Sequence, residues 1–215
     1  MHEIITLTAD SRPIQYLCSK DKRLAKLIST IGEISYARHD DPYVFVIHEI
    51  IEQMLSVKAA NAIFERLQTL CGGYITAEKI ADLSDADIKT IGTANSKIKY
   101  IRSVTNAALQ DHSFFTKLES LSDAEVYTRL RALHGIGSWT AKMYLLFVLD
   151  RQDILPYEDV AFLQSYKWLY KTDDCSPASI QKRCKKWKPY SSIASRYMYR
   201  ALDTGLTKEE FHLYK

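Results

Sequence analysis

Glycine and proline are scarce in this 215-residue chain, seven and five respectively. They fall between long stretches in which apolar side chains return every three or four positions. Neither residue is well tolerated inside a helix, so a chain that confines both to its joints is built to be helical. The pattern predicts an all-α fold. Alternation is weak, and only residues 1 to about 17, through Ile4, Ile5 and Leu7, read as a short extended lead-in. A helix is predicted over 20–31, stopping at Gly32. After Asp40-Asp41-Pro42 the chain is apolar at Phe45, Ile47, Ile50, Ile51, Met54 and Leu55, then at Ala59, Ala62, Ile63 and Leu67. That length predicts two successive helices, broken near Ser56-Val57 and ended by Gly72-Gly73. Further helix starts are signalled at Thr76, Ser84 and Ser122, where a hydroxyl precedes acids that suit the first turn.

With 47% hydrophobic residues the chain can bury one sizeable core, and residues 1–215 are expected to form a single domain. Its formal charge of +3 is a small excess of 29 basic over 26 acidic side chains, so the total does not identify a nucleic-acid binder. Cys18, Cys71, Cys175 and Cys184 lie far apart and form no C-x-x-C pair. That spacing argues against a zinc ribbon or an iron–sulfur loop and for reduced thiols. The N-terminus, MHEIITLTADSRPIQYL, has no basic start leading into an apolar run. No stretch approaches the roughly 18 apolar residues of a membrane span. A cytosolic protein, nuclear in a nucleated cell, is expected, with no membrane partner.

Residues 125–149 carry the functional signal: a helix, the sharp turn Gly135-Ile136-Gly137, and a second helix with an apolar run from Tyr144 to Leu149. A Gly-x-Gly turn that opens a helix leaves amides beside the positive end of the dipole, and such a turn receives phosphate without reading base sequence. It is also an ordinary helix connection, and no preceding strand suggests a dinucleotide fold. About twenty residues on, Asp159 follows Pro156 near the start of another helix, VAFLQSYKWLY, where an acid is commonly a cap.

These pieces together resemble the helix-hairpin-helix DNA glycosylase superfamily, and within it the 3-methyladenine DNA glycosylase II branch. The matches are LHGIGSWTA at 133–141, DILPYED at 153–159, HEIIEQMLSVKAA at 48–60 and WKPYSSIASRYMYRALD at 187–203. They run in the family's order over about 40–203. The resemblance implies a two-lobed fold with the active site in the cleft between lobes: lobe A about 42–155, ending in the hairpin, and lobe B from 1–41 packed with 156–215. It implies that the amides of Gly135, Gly137 and Thr140 hold a phosphate, and that carbonyls of Arg131, Leu133 and Ile136 bind a monovalent cation, Na+ or K+. His134 departs from the pattern by replacing the usual proline, and reads as a solvated turn residue.

The resemblance also makes Asp159 the catalytic carboxylate. Breaking an N-glycosidic bond builds positive charge on the sugar, and a desolvated carboxylate beneath the ring favours that transition state. Glu158 faces elsewhere, since neighbouring helical residues point about 100° apart, and is assigned the role of an exposed acid. Trp139 stands where lyase-type members carry a nucleophilic lysine; an indole forms no Schiff base, so release by water is implied. Lys142, nearly a turn on, reads as a surface or phosphate-facing lysine. Trp139 also suits an electron-poor flipped base. Tyr199 and Met143 are candidates for further walls of the base pocket, with a place in the core as the other reading. Met54 is placed as the wedge that fills the gap left by the flipped base, with Gln53 beside it facing the opposite strand; both would otherwise simply end a buried helix. Two basic groups, Lys97, Lys99 and Arg102, and Lys182, Arg183, Lys185, Lys186 and Lys188, read equally as phosphate contacts or solvated faces.

The expected activity is monofunctional base excision: alkylated purines of the 3-methyladenine and 7-methylguanine type are flipped from damaged double-stranded DNA and hydrolysed, leaving an abasic site. A monomer without required cofactor or iron–sulfur cluster is expected. Three alternatives stay open: a glycosylase for oxidised or deaminated bases, a non-catalytic hairpin module that only grips DNA, and a helical protein–protein scaffold with no affinity for duplex DNA.

Overall fold

The computed structural model describes residues 4–214. β1 (Ile4–Leu7), α1 (Arg12–Lys20), α2 (Lys22–Ile31) and β2 (Ile34–Ala37) come first. Then follow α3 (Pro42–Glu52), α4 (Val57–Leu70), α5 (Ala77–Asp82), α6 (Asp85–Lys89), α7 (Asn95–Gln110), α8 (Phe114–Leu118), α9 (Asp123–Arg131) and α10 (Ser138–Met143). α10 runs into a π-helical turn, Tyr144–Val148, and α11 (Val160–Tyr170), α12 (Pro177–Cys184) and α13 (Ser191–Asp203) come last. Among the described residues no helix is long and apolar enough to cross a membrane.

The chain divides into two compact units, residues 39–149 and residues 4–38 with 150–214. The second boundary lies before, not after, the 150–155 segment because that segment is tied to α13. The amide of Ser192 donates to the Gln152 carbonyl at 3.0 Å, and its hydroxyl accepts the Ile154 amide at 2.9 Å. Arg196 pairs with Asp150 at 2.9 Å and lies over the Tyr36 ring at 3.7 Å.

In the 39–149 unit, α3 is the central element. Val46, Ile47, Ile50 and Ile51 are fully buried, and the helix packs against α4, α7 and the π turn. The caps fall where the sequence signals them: Thr76, Ser84 and Ser122 accept the amides of Lys79, Asp87 and Glu125, the last two as reciprocal capping boxes. The Tyr144–Leu149 run forms a π turn, with the Leu149 amide donating to the Tyr144 carbonyl at 3.1 Å. Apolar periodicity does not distinguish that wider turn from α-helix.

The other unit keeps the all-α character, with one two-stranded ribbon at its start where the extended lead-in is expected. β1 pairs antiparallel with β2, Ile4 opposite Ala37 and Leu7 opposite Ile34. The lead-in ends early, because Ser11 precedes a helix with proline in its first turn. The core gathers Leu17, Leu24, Leu27, Phe162, Tyr166, Leu169, Trp187 and Tyr197. Asp21, only 2% exposed, caps α2 by accepting the amides of Arg23 and Leu24. It also accepts from the Tyr170 hydroxyl, from Trp187 Nε1 at 3.1 Å and from Lys186 at 3.0 Å. Burial pushes its carboxyl up, but these donors together outweigh burial and hold it below the ordinary carboxylate range.

Candidate nucleic-acid interface and active site

The hairpin is built between α9 and α10 and rests on α7. The Leu133 carbonyl accepts the Ile136 amide at 3.1 Å, and the His134 amide donates to Ser103 Oγ at 3.0 Å. His134 itself is exposed and meets Tyr100 edge-on, centroids 4.9 Å apart. The two glycines differ in kind. Gly135 has φ +92°, and a Cβ there would lie 2.1 Å from Tyr100 Cγ, so both backbone and packing demand glycine. Gly137, the N-cap of α10, has extended backbone at φ −91°, ψ −179°, and a Cβ there would meet nothing within 4 Å. Nothing in the fold requires a glycine at 137, and lacking a side chain it offers no capping oxygen to the first turn. Thr140 is buried and Ile136 anchors the turn from inside.

α3 ends at an elbow beside this turn. Gln53 donates its side-chain amide to the Gly135 carbonyl at 3.0 Å, with Thr140 Oγ1 3.5 Å away. In this structure the Gln53 amide nitrogen is engaged by the hairpin, and the side chain is half-buried. Met54 takes φ 60° and is 101% exposed, with Leu55 and Val57 also exposed beside it. It follows directly on Gln53, the C-cap of the buried helix α3. A left-handed methionine costs roughly 1–3 kcal/mol, and no burial offsets that cost.

Several of the basic side chains that read equally as phosphate contacts or solvated faces have partners within the chain, Lys97 and Arg102 half-buried and Arg183, Lys186 and Lys188 exposed. Lys97 donates to the carbonyls of Ile51 and Gln53, 2.7 Å each. Arg102 pairs with Asp85 at 2.8 Å and donates to the Ile80 and Leu83 carbonyls at the end of α5. Arg183 lies over the Tyr170 ring at 4.9 Å, Lys186 pairs with Asp21, and Lys188 lies 3.3 Å from Asp153. Lys99, Lys182 and Lys185 are exposed. Trp139 is half-buried on α10, Met143 one turn on is buried, and Lys142 is half-buried.

In the other unit, the pinned 150–154 segment leads through Pro156 to Asp159, whose own amide donates to the Pro156 carbonyl at 3.0 Å. Asp159 is the N-cap of α11, its Oδ1 accepting the Phe162 amide at 2.8 Å, and it is 8% exposed between exposed Glu158 and Val160. Capping and catalysis are compatible, since a carboxylate offers about four lone-pair sites. Tyr199 is half-buried on α13 against the core. α13 is tied to α11 by the Ser165 hydroxyl, which donates to the Met198 carbonyl at 2.7 Å. The Ser191-Ser192 pair and Arg196 escaped the sequence reading, because nothing in their spacing shows that they hold a segment 40 residues away. The four cysteines are free thiols, and burial pushes that of Cys184 up to about 12.

An all-helical scaffold carrying a Gly-Ile-Gly hairpin, followed by a buried carboxylate at a helix head, defines a helix-hairpin-helix protein of the DNA-glycosylase type. The chain belongs to the HhH-GPD superfamily of base excision DNA repair proteins, whose profile matches residues 47–189, and within it to the 3-methyladenine glycosylase branch. It is 30% identical to DNA-3-methyladenine glycosylase 1 of Schizosaccharomyces pombe over 92% of this chain and 89% of that protein. Its fold matches the crystal structure of a DNA-3-methyladenine glycosidase from Bacillus halodurans with a TM-score of 0.84 and 32% identity, covering 97% of each chain. It also matches a Schizosaccharomyces pombe 3-methyladenine DNA glycosylase in complex with abasic DNA, TM-score 0.82 and 25% identity, covering 95% of this chain and all of that one.

Proposed function

We propose that this protein is a monofunctional DNA glycosylase of base excision repair, hydrolysing alkylated purines of the 3-methyladenine and 7-methylguanine type from duplex DNA and leaving an abasic site. The observation that carries the reading is Asp159, a carboxylate held 8% exposed at a helix head in a chain with this family's profile. As the glycosidic bond breaks, charge builds on the sugar, and a fixed, poorly hydrated carboxylate stabilises that charge more than it stabilises the neutral ground state. With tryptophan at 139 there is no amine at that position to attack the sugar, so water completes the reaction. The indole face suits a purine made cationic by alkylation, which leaves without prior protonation. Met54 enters the base stack as the base leaves it, and the Gly135, Gly137 and Thr140 amides take a backbone phosphate.

The chemistry requires no cofactor. Neutral carbonyls of Arg131, Leu133 and Ile136 suit a monovalent hard cation; the Leu133 oxygen, already accepting one amide, retains a second lone pair. Such an ion would stiffen the turn and add to its positive field. All these residues come from one chain, so a monomer suffices.

The test is a panel of duplexes, each with one lesion (3-methyladenine, 7-methylguanine, 1,N6-ethenoadenine, hypoxanthine, uracil or 8-oxoguanine), followed by alkali. Strand cleavage is expected only after alkali and most strongly for alkylated purines. Asp159→Asn, which caps a helix about as well as aspartate, should lose at least about a hundredfold in rate while remaining folded. Cleavage without alkali, preference for uracil or 8-oxoguanine, or full activity in Asp159→Asn would each overturn the proposal.

A further inference from the structure

The elbow after α3 presents a side chain from which the fold gains nothing. Met54 sits at φ 60° with its side chain 101% exposed, a conformation that methionine adopts only when its surroundings impose it. Two side chains hold the residues that lead into it. Gln53 is tied to the Gly135 carbonyl at 3.0 Å, and Lys97 Nζ reaches the carbonyls of Ile51 and Gln53, 2.7 Å each.

Lys97 stands in the first turn of α7, where the helix dipole disfavours a cation. Burial further disfavours its ammonium and lowers its pKa. A lysine kept for open phosphates would not bear the second cost. Both are offset by carbonyls at the negative end of α3, which otherwise lack helical donors. The side chain therefore acts as a clamp on the last turn of α3, from the same helix that supports the hairpin through Tyr100 and Ser103.

We infer that Lys97 is a positioning residue for base extrusion: its grip on the Ile51 and Gln53 carbonyls fixes the elbow that presents Met54, so that wedge and Gly-Ile-Gly turn meet DNA as one body. This rests on the base-excision reading. Without the clamp, Met54 is free to leave its left-handed backbone and no longer points at a fixed place in the stack, while the hairpin still holds phosphate. Lys97 thus acts through Met54 and on the extrusion step, not on the chemistry at the sugar.

The experiment compares Lys97→Met and Lys97→Arg, each alone and with Met54→Ala, on 7-methylguanine paired with cytosine and on 7-methylguanine facing an abasic site. A 2-aminopurine next to the lesion reports unstacking independently of bond cleavage. Lys97→Met should lower kcat on the paired lesion about tenfold or more with KM little changed, and delay the fluorescence rise. The loss should shrink opposite the abasic site, where the stack is already open. It should fall below about twofold in the Met54→Ala background, since groups acting as a unit are not additive. Lys97→Arg, which can still reach two carbonyls, should recover most of the rate. Equal losses with and without Met54, or a Lys97→Met enzyme as fast as wild type, would overturn the inference. Should Lys97→Met fail to fold, Lys97→Gln, which is uncharged and shorter but keeps N–H donors, is put through the same comparison. A wild-type protein that excises nothing would instead sink the glycosylase reading, and the unstacking signal would still judge the clamp.

Discussion

Replacing Gly135 by alanine separates the two reasons a glycine stands there. At φ +92° an added Cβ costs about 1–2 kcal/mol in backbone strain. The same Cβ would lie 2.1 Å from Tyr100 Cγ and 2.4 Å from its Cβ and Cδ1, far inside contact distance. Tyr100 must then swing away from His134, or the turn must rise off α7, at the roughly 1–3 kcal/mol typical of overpacking. The sum, about 2–5 kcal/mol, corresponds to a fall in Tm of very roughly 4–20 °C for a chain of this size. Differential scanning fluorimetry and urea melts of Gly135→Ala in wild-type and Tyr100→Ala backgrounds measure the two parts. With the ring removed, only the backbone part of about 1–2 kcal/mol should remain. An equal destabilisation in both backgrounds, or none in either, would refute the assignment of Tyr100 as the steric floor of the turn.

Gly137→Ala is the counterpart: with extended backbone and open space around it, the substitution should cost less than about 1 kcal/mol as an N-cap change. It should nevertheless weaken binding to abasic duplex several-fold in a fluorescence anisotropy titration. Asp159→Ala should cost about 1 kcal/mol more stability than Asp159→Asn, because only asparagine keeps the cap, with excision lost in both. Asp21→Asn should destabilise by roughly 2–4 kcal/mol at neutral pH, measured by chemical denaturation, because its donors lose a buried charge. Since the Asp21 carboxyl is held below its unfolded value of about 3.9, its contribution is complete above that value and lost as pH falls through the lower folded value. The stability gap between wild type and Asp21→Asn should be flat from about pH 5 upward and close in stronger acid.

Much of this protein is local in origin and therefore legible in its amino-acid order. Helix starts at Thr76, Ser84 and Ser122 are set by a hydroxyl and the amides two or three residues on, and the stop at Gly32 by backbone freedom at one residue. The Gly-Ile-Gly backbone and the Asp159 cap on the Phe162 amide are likewise set within a few adjacent positions, which is why the family's chemistry shows in short motifs. What could not be read there depends on partners distant in the chain. A strand of four residues exists only because Ile34–Ala37 returns beside it. Lys97 and Arg102 look like any surface cations until the folded chain brings helix-end carbonyls to them, and Gln53 looks free to reach outward until Gly135 stands 3.0 Å away. Sequence alone determined which turns and caps form, because their energies are exhausted within one helical turn. Which polar side chains remain available to a ligand was decided by tertiary structure, because a donor satisfies whichever acceptor the packed chain places nearest.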